Sequence, residues 1–332
     1  MENKEYPKVL YHYASMEKAA SILKYKNIRL SDITKSNDVN EMSIFFPGLF
    51  EEMLNNYDEY NGFGCKFVYK GKEDRAAFSL LVSEIKKRIE KEFEDGSIST
   101  FVLCLSEEGD LLSQWRGYAN DGKGVCLGLS VEEIRKFVDI PAFTGFALEK
   151  VEYLSKGEIN QWIKDSANGL LLLINTILKA IHSGELHFEW GSKFDEEIFD
   201  TLYYNILSDI EESIKFKSDG FKEEKEWRLF VKNSLNKEEL KGKTYTTIGS
   251  MSREARRKAS QYVDDNVDFN VKENDIVPFV SLAFDKFSNN LICELICGPN
   301  NTIRSRDMEL YLRKNGYVGC EYSKSNITYI VR

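Results

Sequence analysis

The chain has little proline, little histidine and no excess of positive charge. Only 5 of its 332 residues are proline, so proline-rich linkers are absent. The formal net charge is -9, from 45 Lys and Arg against 54 Asp and Glu. Such a chain lacks the overall positive field by which proteins bind nucleic acids or anionic membranes non-specifically. With 42% hydrophobic residues, the composition predicts a soluble globular protein with a sizeable core.

Several motifs of common active sites are missing too. The three histidines (His12, His182 and His187) form no His-Glu-x-x-His pair, and the six cysteines form no Cys-x-x-Cys pair. The sequence therefore predicts no metal site. It contains neither a Gly-x-Ser-x-Gly elbow nor a phosphate-binding loop. Gly122-Lys123-Gly124 precedes a predicted strand, whereas a dinucleotide-binding fingerprint follows one.

The longest apolar stretch is too short to cross a membrane. It extends from Leu170 to Ile181 and includes Asn175 and Lys179, whereas a membrane-spanning helix needs about 20 apolar residues. We therefore expect a buried helix here and no membrane partner. Residues 1–9 are polar and do not resemble a signal peptide. Together with the unpaired cysteines, this predicts a cytoplasmic protein with free thiols.

Strand-like segments cluster towards both ends of the sequence, around a helical middle. Apolar residues at helical spacing, such as Phe194, Ile198 and Leu202, indicate amphipathic helices in that middle part. The order predicts an α+β fold. We expect a single domain over residues 1–332, with a helical insertion at about residues 157–217.

The most informative polar cluster is Glu224-Lys225-Glu226-Trp227-Arg228, at the start of a predicted strand. Strand side chains alternate, so Glu224 and Glu226 can share one face. Two neighbouring carboxylates tend to raise the pKa of one of them, and Arg228 can offset the charge from the same face. The cluster indicates either a salt-bridged strand end or a site for hydroxyls and positive charge.

Two further clusters also allow two interpretations each. His12, between Tyr11 and Tyr13 on the first predicted strand, is either structural or a neutral imidazole that bonds a ligand hydroxyl. Asn37-Asp38 with Glu41 form either a turn and helix start or part of a site.

The segment Gln114-Trp115-Arg116-Gly117-Tyr118 combines aromatic rings with a cation. Aromatic faces stack on flat heterocycles, and arginine pairs with phosphate. These side chains could therefore line a cleft. The alternative is a core tryptophan beside a surface arginine.

These clusters give the chain a family resemblance. It resembles the bacterial family called domain of unknown function 2971 over nearly the whole chain. The blocks that carry the resemblance lie between residues 9 and 330: Tyr11-His12-Tyr13, Ile22-Leu23, Asn37-Asp38-x-x-Glu41, Cys104-x-Ser106-Glu107, Gln114-Trp115-x-x-Tyr118, Gly124-Val125-Cys126-Leu127-Gly128, Glu224-x-Glu226-Trp227-Arg228, Gly298-Pro299 and Ser325-x-Ile327.

More distantly, the chain resembles the ADP-ribosyltransferase superfamily. Those enzymes use a His on the first strand, an aromatic residue that stacks on nicotinamide, and a Glu that opens a late strand. His12, then Trp115 or Tyr118, then Glu226 occur here in that order. Glu224-x-Glu226 is similar to the paired-glutamate form of that site.

This second resemblance implies an ADP-ribosyltransferase-like mixed β core and NAD as the substrate. It implies a toxin or anti-phage effector that modifies a protein or nucleic-acid acceptor. An NAD glycohydrolase, a non-catalytic module that binds a nucleotide or a protein, and a purely structural charge cluster remain alternatives. The implied catalytic residues are Glu226 and His12, the implied binding residues are Tyr13, Trp115, Arg116, Tyr118 and Arg228, and Asn37, Asp38, Glu41 and Glu224 are implied as substrate-contacting or structural.

Overall fold

The structure is a computed structural model that describes residues 5–36, 45–60, 66–96, 98, 100–138, 146–186, 191–232, 267–272, 274–286, 288 and 290–330. The helices are α1 (Met16–Tyr25), α2 (Phe46–Tyr60), α3 (Asp74–Glu94), α4 (Leu112–Tyr118), α5 (Val131–Val138), α6 (Lys156–His182), α7 (Ser192–Glu212) and α8 (Ser305–Lys314). The strands are β1 (Val9–Ala14), β2 (Asn27–Asp32), β3 (Val68–Tyr69), β4 (Lys72–Glu73), β5 (Thr100–Ser106), β6 (Val125–Ser130), β7 (Phe146–Lys150), β8 (Glu152–Leu154), β9 (Phe216–Ser218), β10 (Glu226–Lys232), β11 (Asp268–Lys272), β12 (Asp275–Ala283), β13 (Ile292–Cys297) and β14 (Glu321–Lys324). This combination of helices with a mixed sheet confirms the predicted α+β character of the chain.

The chain divides into two compact units. One comprises Met1–Lys35, Thr100–Val151 and Gly220–Arg332, and the other comprises Ser36–Ser99 and Glu152–Asp219. The predicted helical insertion at about residues 157–217 falls within the second unit, together with an earlier part of the chain. The division into one domain or more stays a prediction.

The first unit is built on a large sheet. Its strands follow the order β11-β12-β2-β5-β1-β6-β13-β14, while β10 pairs with β5 and β7 pairs with β10. The β13–β14 pair is parallel and the other pairs are antiparallel. One face carries the main core, because successive side chains alternate between faces. That core includes Leu10, Leu103, Leu105, Leu127 and Trp227, with residues of α1, α5 and α8 packed among them.

The sheet opens along one edge of β5. β10 pairs with all seven residues of β5 and so occupies its other edge. On the open edge, β2 pairs with Phe101 and Val102, whereas β1 pairs with Ser106. On that edge β2 and β1 thus pair with opposite ends of β5. The opening lies beside the strand that carries His12.

The second unit consists mainly of helices. α6 begins at a capping box, in which Ser155 accepts a hydrogen bond from the Glu158 backbone and the Glu158 side chain accepts one in return. α7 buries residues at helical spacing, as the sequence predicts. The buried positions of α7 include Phe194, Ile198, Leu202, Ile206 and Ile210. None of the helices in the described ranges is long and apolar enough to cross a membrane.

The loop between α4 and β6 requires glycine at position 124. A Cβ atom there would lie 2.2 Å from the Ala14 carbonyl oxygen and 2.9 Å from that of Ala119. Both obstacles are backbone atoms, so Gly124→Ala is expected to lower the free energy of unfolding by about 1–3 kcal/mol, the usual cost of overpacking. Urea denaturation checks this.

Gly117→Ala is the matched control. A Cβ at Gly117, in α4, meets nothing within 4 Å, and alanine suits a helix better than glycine by about 0.5–1 kcal/mol. Equal effects of the two substitutions would contradict the tight contact at Gly124.

Candidate functional site

Three neighbouring strands align the predicted residue Glu226 with Ser106 and Tyr11 in one row of the sheet. Tyr11 of β1 lies opposite Ser106 of β5, and Ser106 lies opposite Glu226 of β10. Adjacent strands are about 4.8 Å apart. Because residues directly opposite one another share a face, Tyr11, Ser106 and Glu226 face the same side of the sheet. The structure thus places the start of β10 two strands from β1.

Glu226 and Arg228 form a buried ion pair on that face. Their side chains are 5% and 1% exposed. The Arg228 Nε donates to Glu226 Oε1 at 2.8 Å, and Nη2 lies 3.4 Å from Oε2. This is the pairing that strand alternation predicts for residues two apart. Removing the two charges from water costs several kcal/mol per ion. The contact between them offsets part of this cost and fixes the Glu226 carboxylate in place.

His12 lies at the opening between β1 and β5. Its Nδ1 is 3.2 Å from the backbone oxygen of Cys104 in β5. A carbonyl oxygen only accepts, so Nδ1 carries the proton and Nε2 is left as an acceptor. Among the described residues, Nε2 has no hydrogen-bond partner.

The His12 imidazole is held in its neutral form. Burial lowers the pKa of His12 below its ordinary value of 6.5, and the charge of Lys18 adds to this, while the bond to Cys104 opposes it. A neutral ring with a free Nε2 can accept a hydrogen bond from a hydroxyl. Alternation directs the Cβ of His12 away from the face of Tyr11 and Glu226, and the ring reaches the sheet opening at the edge of β5.

The pKa of His12 makes the stability of the fold depend on pH. A histidine whose pKa falls on folding contributes stability that is present above its unfolded pKa and is lost as the pH falls towards the folded value. His12→Gln keeps a polar side chain that does not titrate. We expect the free energy of unfolding of the wild type to drop more steeply below the ordinary histidine pKa than that of His12→Gln.

Urea denaturation at neutral and at mildly acidic pH measures the difference. His182→Gln is the control, because its ring bonds a carbonyl of its own helix, that of Leu178 in α6. Identical acid profiles for the wild type and His12→Gln would mean that His12 is not held neutral.

Trp115 and Tyr13 pack against each other instead of facing a ligand. Trp115 is fully buried and Tyr13 is buried, with ring centroids 4.8 Å apart in an edge-on arrangement. The Trp115 Nε1 donates to Asp110 Oδ1 at 2.7 Å. The Tyr13 hydroxyl donates to the Glu108 backbone oxygen and accepts from the Leu111 N–H. The structure thus gives these two predicted binding residues a packing role and leaves neither ring face open to a ligand.

Arg116 and Tyr118 are exposed side chains of the same helix, α4. Residue 116 follows Trp115 by one position and so lies on another side of the helix, whereas residue 118, three positions on, lies near the side of Trp115. Tyr118 is 41% exposed, and its hydroxyl donates to Glu224 Oε1 at 3.2 Å. The Arg116 guanidinium lies 5.9 Å from the Tyr329 ring. The Tyr118 ring is thus accessible beside the turn that leads into Glu226, and the Arg116 side chain is exposed on the same helix.

Two residues at the end of β5 fix this turn, and the site assignment from sequence missed them. The Ser106 Oγ donates to the Glu224 backbone oxygen at 2.8 Å and accepts from the Glu108 N–H. The Glu107 N–H donates to the Lys225 oxygen at 3.0 Å. Lys225 has a φ of 45°, which is uncommon for a residue with a side chain. The block Cys104-x-Ser106-Glu107 was the only sequence signal for this role.

The Glu107 carboxylate is also part of the support. It accepts hydrogen bonds from Lys150 Nζ at 2.6 Å and Trp227 Nε1 at 2.7 Å. Burial by itself would raise the pKa of Glu107, but these two hydrogen bonds outweigh it and hold the pKa below its ordinary value. Glu107 therefore stays ionised and anchors β10 through Trp227.

The predicted residues Asn37, Asp38 and Glu41 lie outside the described residues. The other predicted residues lie in the first unit. Glu226 and Arg228 form a buried pair and Tyr118 bonds Glu224, while His12 lies at the sheet opening with its Cβ on the opposite face from Glu226.

Residues 114–229 match the model of a family described as "Protein of unknown function (DUF2971)". This confirms the predicted family resemblance over that segment, which contains Arg116, Tyr118, Glu224, Glu226 and Arg228. No curated protein and no solved structure matches the chain.

Proposed function

We propose that the chain that contains this DUF2971 segment is an ADP-ribosyltransferase-like enzyme that cleaves NAD. The observation that carries the proposal is a fixed carboxylate, Glu226 on β10, and a neutral imidazole, His12 on β1, on two of the strands that border β5. His12 lies at the place where the sheet opens. The remote resemblance of these residues to the ADP-ribosyltransferase superfamily supports NAD as the substrate. It also supports an ADP-ribosyltransferase-like core.

The reaction breaks the bond between the ribose C1′ and the nicotinamide nitrogen. The bonding electrons leave with nicotinamide, and the ribose ring gains positive charge. An acceptor nucleophile then bonds to C1′ and loses a proton. The Glu226 carboxylate supplies negative charge beside the developing cation, which is worth more in a buried site than in water.

Each of the other side chains of the site contacts a different part of NAD. The His12 Nε2 accepts a hydrogen bond from a ribose hydroxyl. The Tyr118 ring stacks on nicotinamide, because Trp115 is fully buried and Tyr118 is 41% exposed. Arg116 pairs with the diphosphate. Arg228 holds the Glu226 carboxylate in place through the 2.8 Å contact.

The acceptor decides between a transferase and a glycohydrolase. With water as the acceptor the products are ADP-ribose and nicotinamide; with a protein or nucleic acid the ADP-ribose is transferred to that molecule. Incubation of the purified chain with NAD and chromatographic measurement of nicotinamide tests the shared step. Release above the uncatalysed background is expected. Without release, both enzymatic forms of the proposal fail.

A non-catalytic binding module is the second candidate. The low exposure of Glu226 and its pairing with Arg228 favour it, because a carboxylate engaged in this way can serve structure alone. Such a module would bind a nucleotide or a protein without releasing nicotinamide.

A further inference from the structure

The edge strand β11 presents apolar side chains to solvent. It is the outermost strand at one end of the large sheet, and within the described ranges it pairs only with β12. Phe269 is 56% exposed and Val271 is 76% exposed. Ile276, which lies opposite Val271 on β12, is 54% exposed. These three residues share one face, so the exposed apolar surface is continuous at this edge.

Within the part of the chain that the structure describes, no strand pairs with the outer side of β11. In an antiparallel strand, alternate residues direct their N–H and C=O groups towards opposite edges. The Phe269 N–H donates to the Asp268 carboxylate at 2.8 Å. The backbone N–H and C=O groups of Phe269 therefore point towards the open edge. Those of Val271, two residues later, point the same way. The Asp268 side chain covers one of these donors.

At the opposite end of the sheet, the edge strand carries side chains that oppose association with another sheet. Charged and polar side chains on edge strands prevent association between sheets. β14, at that end, has the sequence Glu-Tyr-Ser-Lys and exposes no large apolar side chain. β11 contains no proline and no glycine, and its central residue is Asn270. Its apolar edge therefore needs another explanation.

We propose that β11 pairs antiparallel with β11 of a second copy of this chain, about a two-fold axis through Asn270. In that register Phe269 of one copy lies opposite Val271 of the other, and the reverse pair forms as well. The residues with outward backbone groups then exchange hydrogen bonds. Asp268 lies opposite position 272, which is a lysine in the sequence, so the strand is complementary to itself in charge. Self-complementarity of one patch is what a two-fold dimer requires.

The contact is small. A five-residue strand buries far less than the roughly 1,600 Å² of a standard stable interface. The dimer is therefore reversible, and its population rises with protein concentration.

Two double variants test the pairing and its register. In F269K/V271E, each lysine faces a glutamate of the other copy; in F269K/V271K, each lysine faces a lysine. Opposite charges across a strand pair stabilise it and like charges oppose it. Sedimentation velocity over a range of concentrations should show a monomer–dimer equilibrium for the wild type and for F269K/V271E. F269K/V271K should remain monomeric.

Both variants should fold, because the two substituted positions are exposed. Thermal unfolding of dilute samples checks this. The proposal is overturned if the wild type stays monomeric at its highest attainable concentration, or if the two variants behave alike. Growth beyond the dimer overturns it too, because a two-fold pair closes.

Discussion

Glu226→Gln is expected to reduce the release of nicotinamide from NAD by about 10²- to 10³-fold, the loss typical when one electrostatic partner of a transition state is removed. Glutamine keeps the size and one acceptor oxygen but not the charge. If Glu226 stabilises the cationic ribose, kcat falls while NAD binding changes little. Steady-state measurement of nicotinamide against NAD concentration separates the two parameters.

Glu224→Gln is the matched control for this prediction. Glu224 is two residues away and bonds the Tyr118 hydroxyl at 3.2 Å, outside the buried pair of Glu226 with Arg228. We expect this variant to keep nicotinamide release within a few-fold of the wild type. If Glu226→Gln stays folded and retains full activity, Glu226 is not the catalytic carboxylate.

Arg228→Met is expected to lower the free energy of unfolding by about 3–5 kcal/mol, because it removes the guanidinium that pairs with the buried Glu226 carboxylate. Methionine has similar length and fills much of the same space. The Arg228 side chain is 1% exposed, so water cannot replace it without rearrangement of the strand. Chemical denaturation monitored by tryptophan fluorescence measures the effect.

The double variant Glu226→Leu/Arg228→Met separates charge from packing. Apolar residues in place of both members of a buried ion pair are often neutral for stability, so most of the lost stability should return. Activity should not return, because the carboxylate is gone. A double variant as unstable as Arg228→Met would show that the change in packing, and not the loss of the ion pair, lowered the stability.

Local patterns in the sequence predict part of this architecture. The apolar face of α7 follows from helical spacing, and the Glu226–Arg228 pair follows from strand alternation. Both rest on residues that are close in the chain, where geometry is fixed by the type of element. The family resemblance was readable in the same way, from short blocks of sequence.

Contacts between distant residues were not predictable in this way. The roles of Trp115 and Tyr13 depend on the packing of α4 against β1, which decided between a ligand-facing and a core tryptophan. The bond of His12 to Cys104 exists because β1 leaves β5 after one register pair. The role of Ser106 depends on β10, which begins opposite it, and no local sequence pattern indicates that pairing.

If the chain cleaves NAD as proposed, then His12, Tyr118 and Glu226 contact one NAD molecule. A crystal structure of the chain with carba-NAD, a non-hydrolysable analogue, measures these contacts. We expect the ring replacing ribose to lie within hydrogen-bond distance of the His12 Nε2 and beside the Glu226 carboxylate, with nicotinamide against the Tyr118 ring. An analogue bound elsewhere, with His12 and Glu226 untouched, would rule out this site.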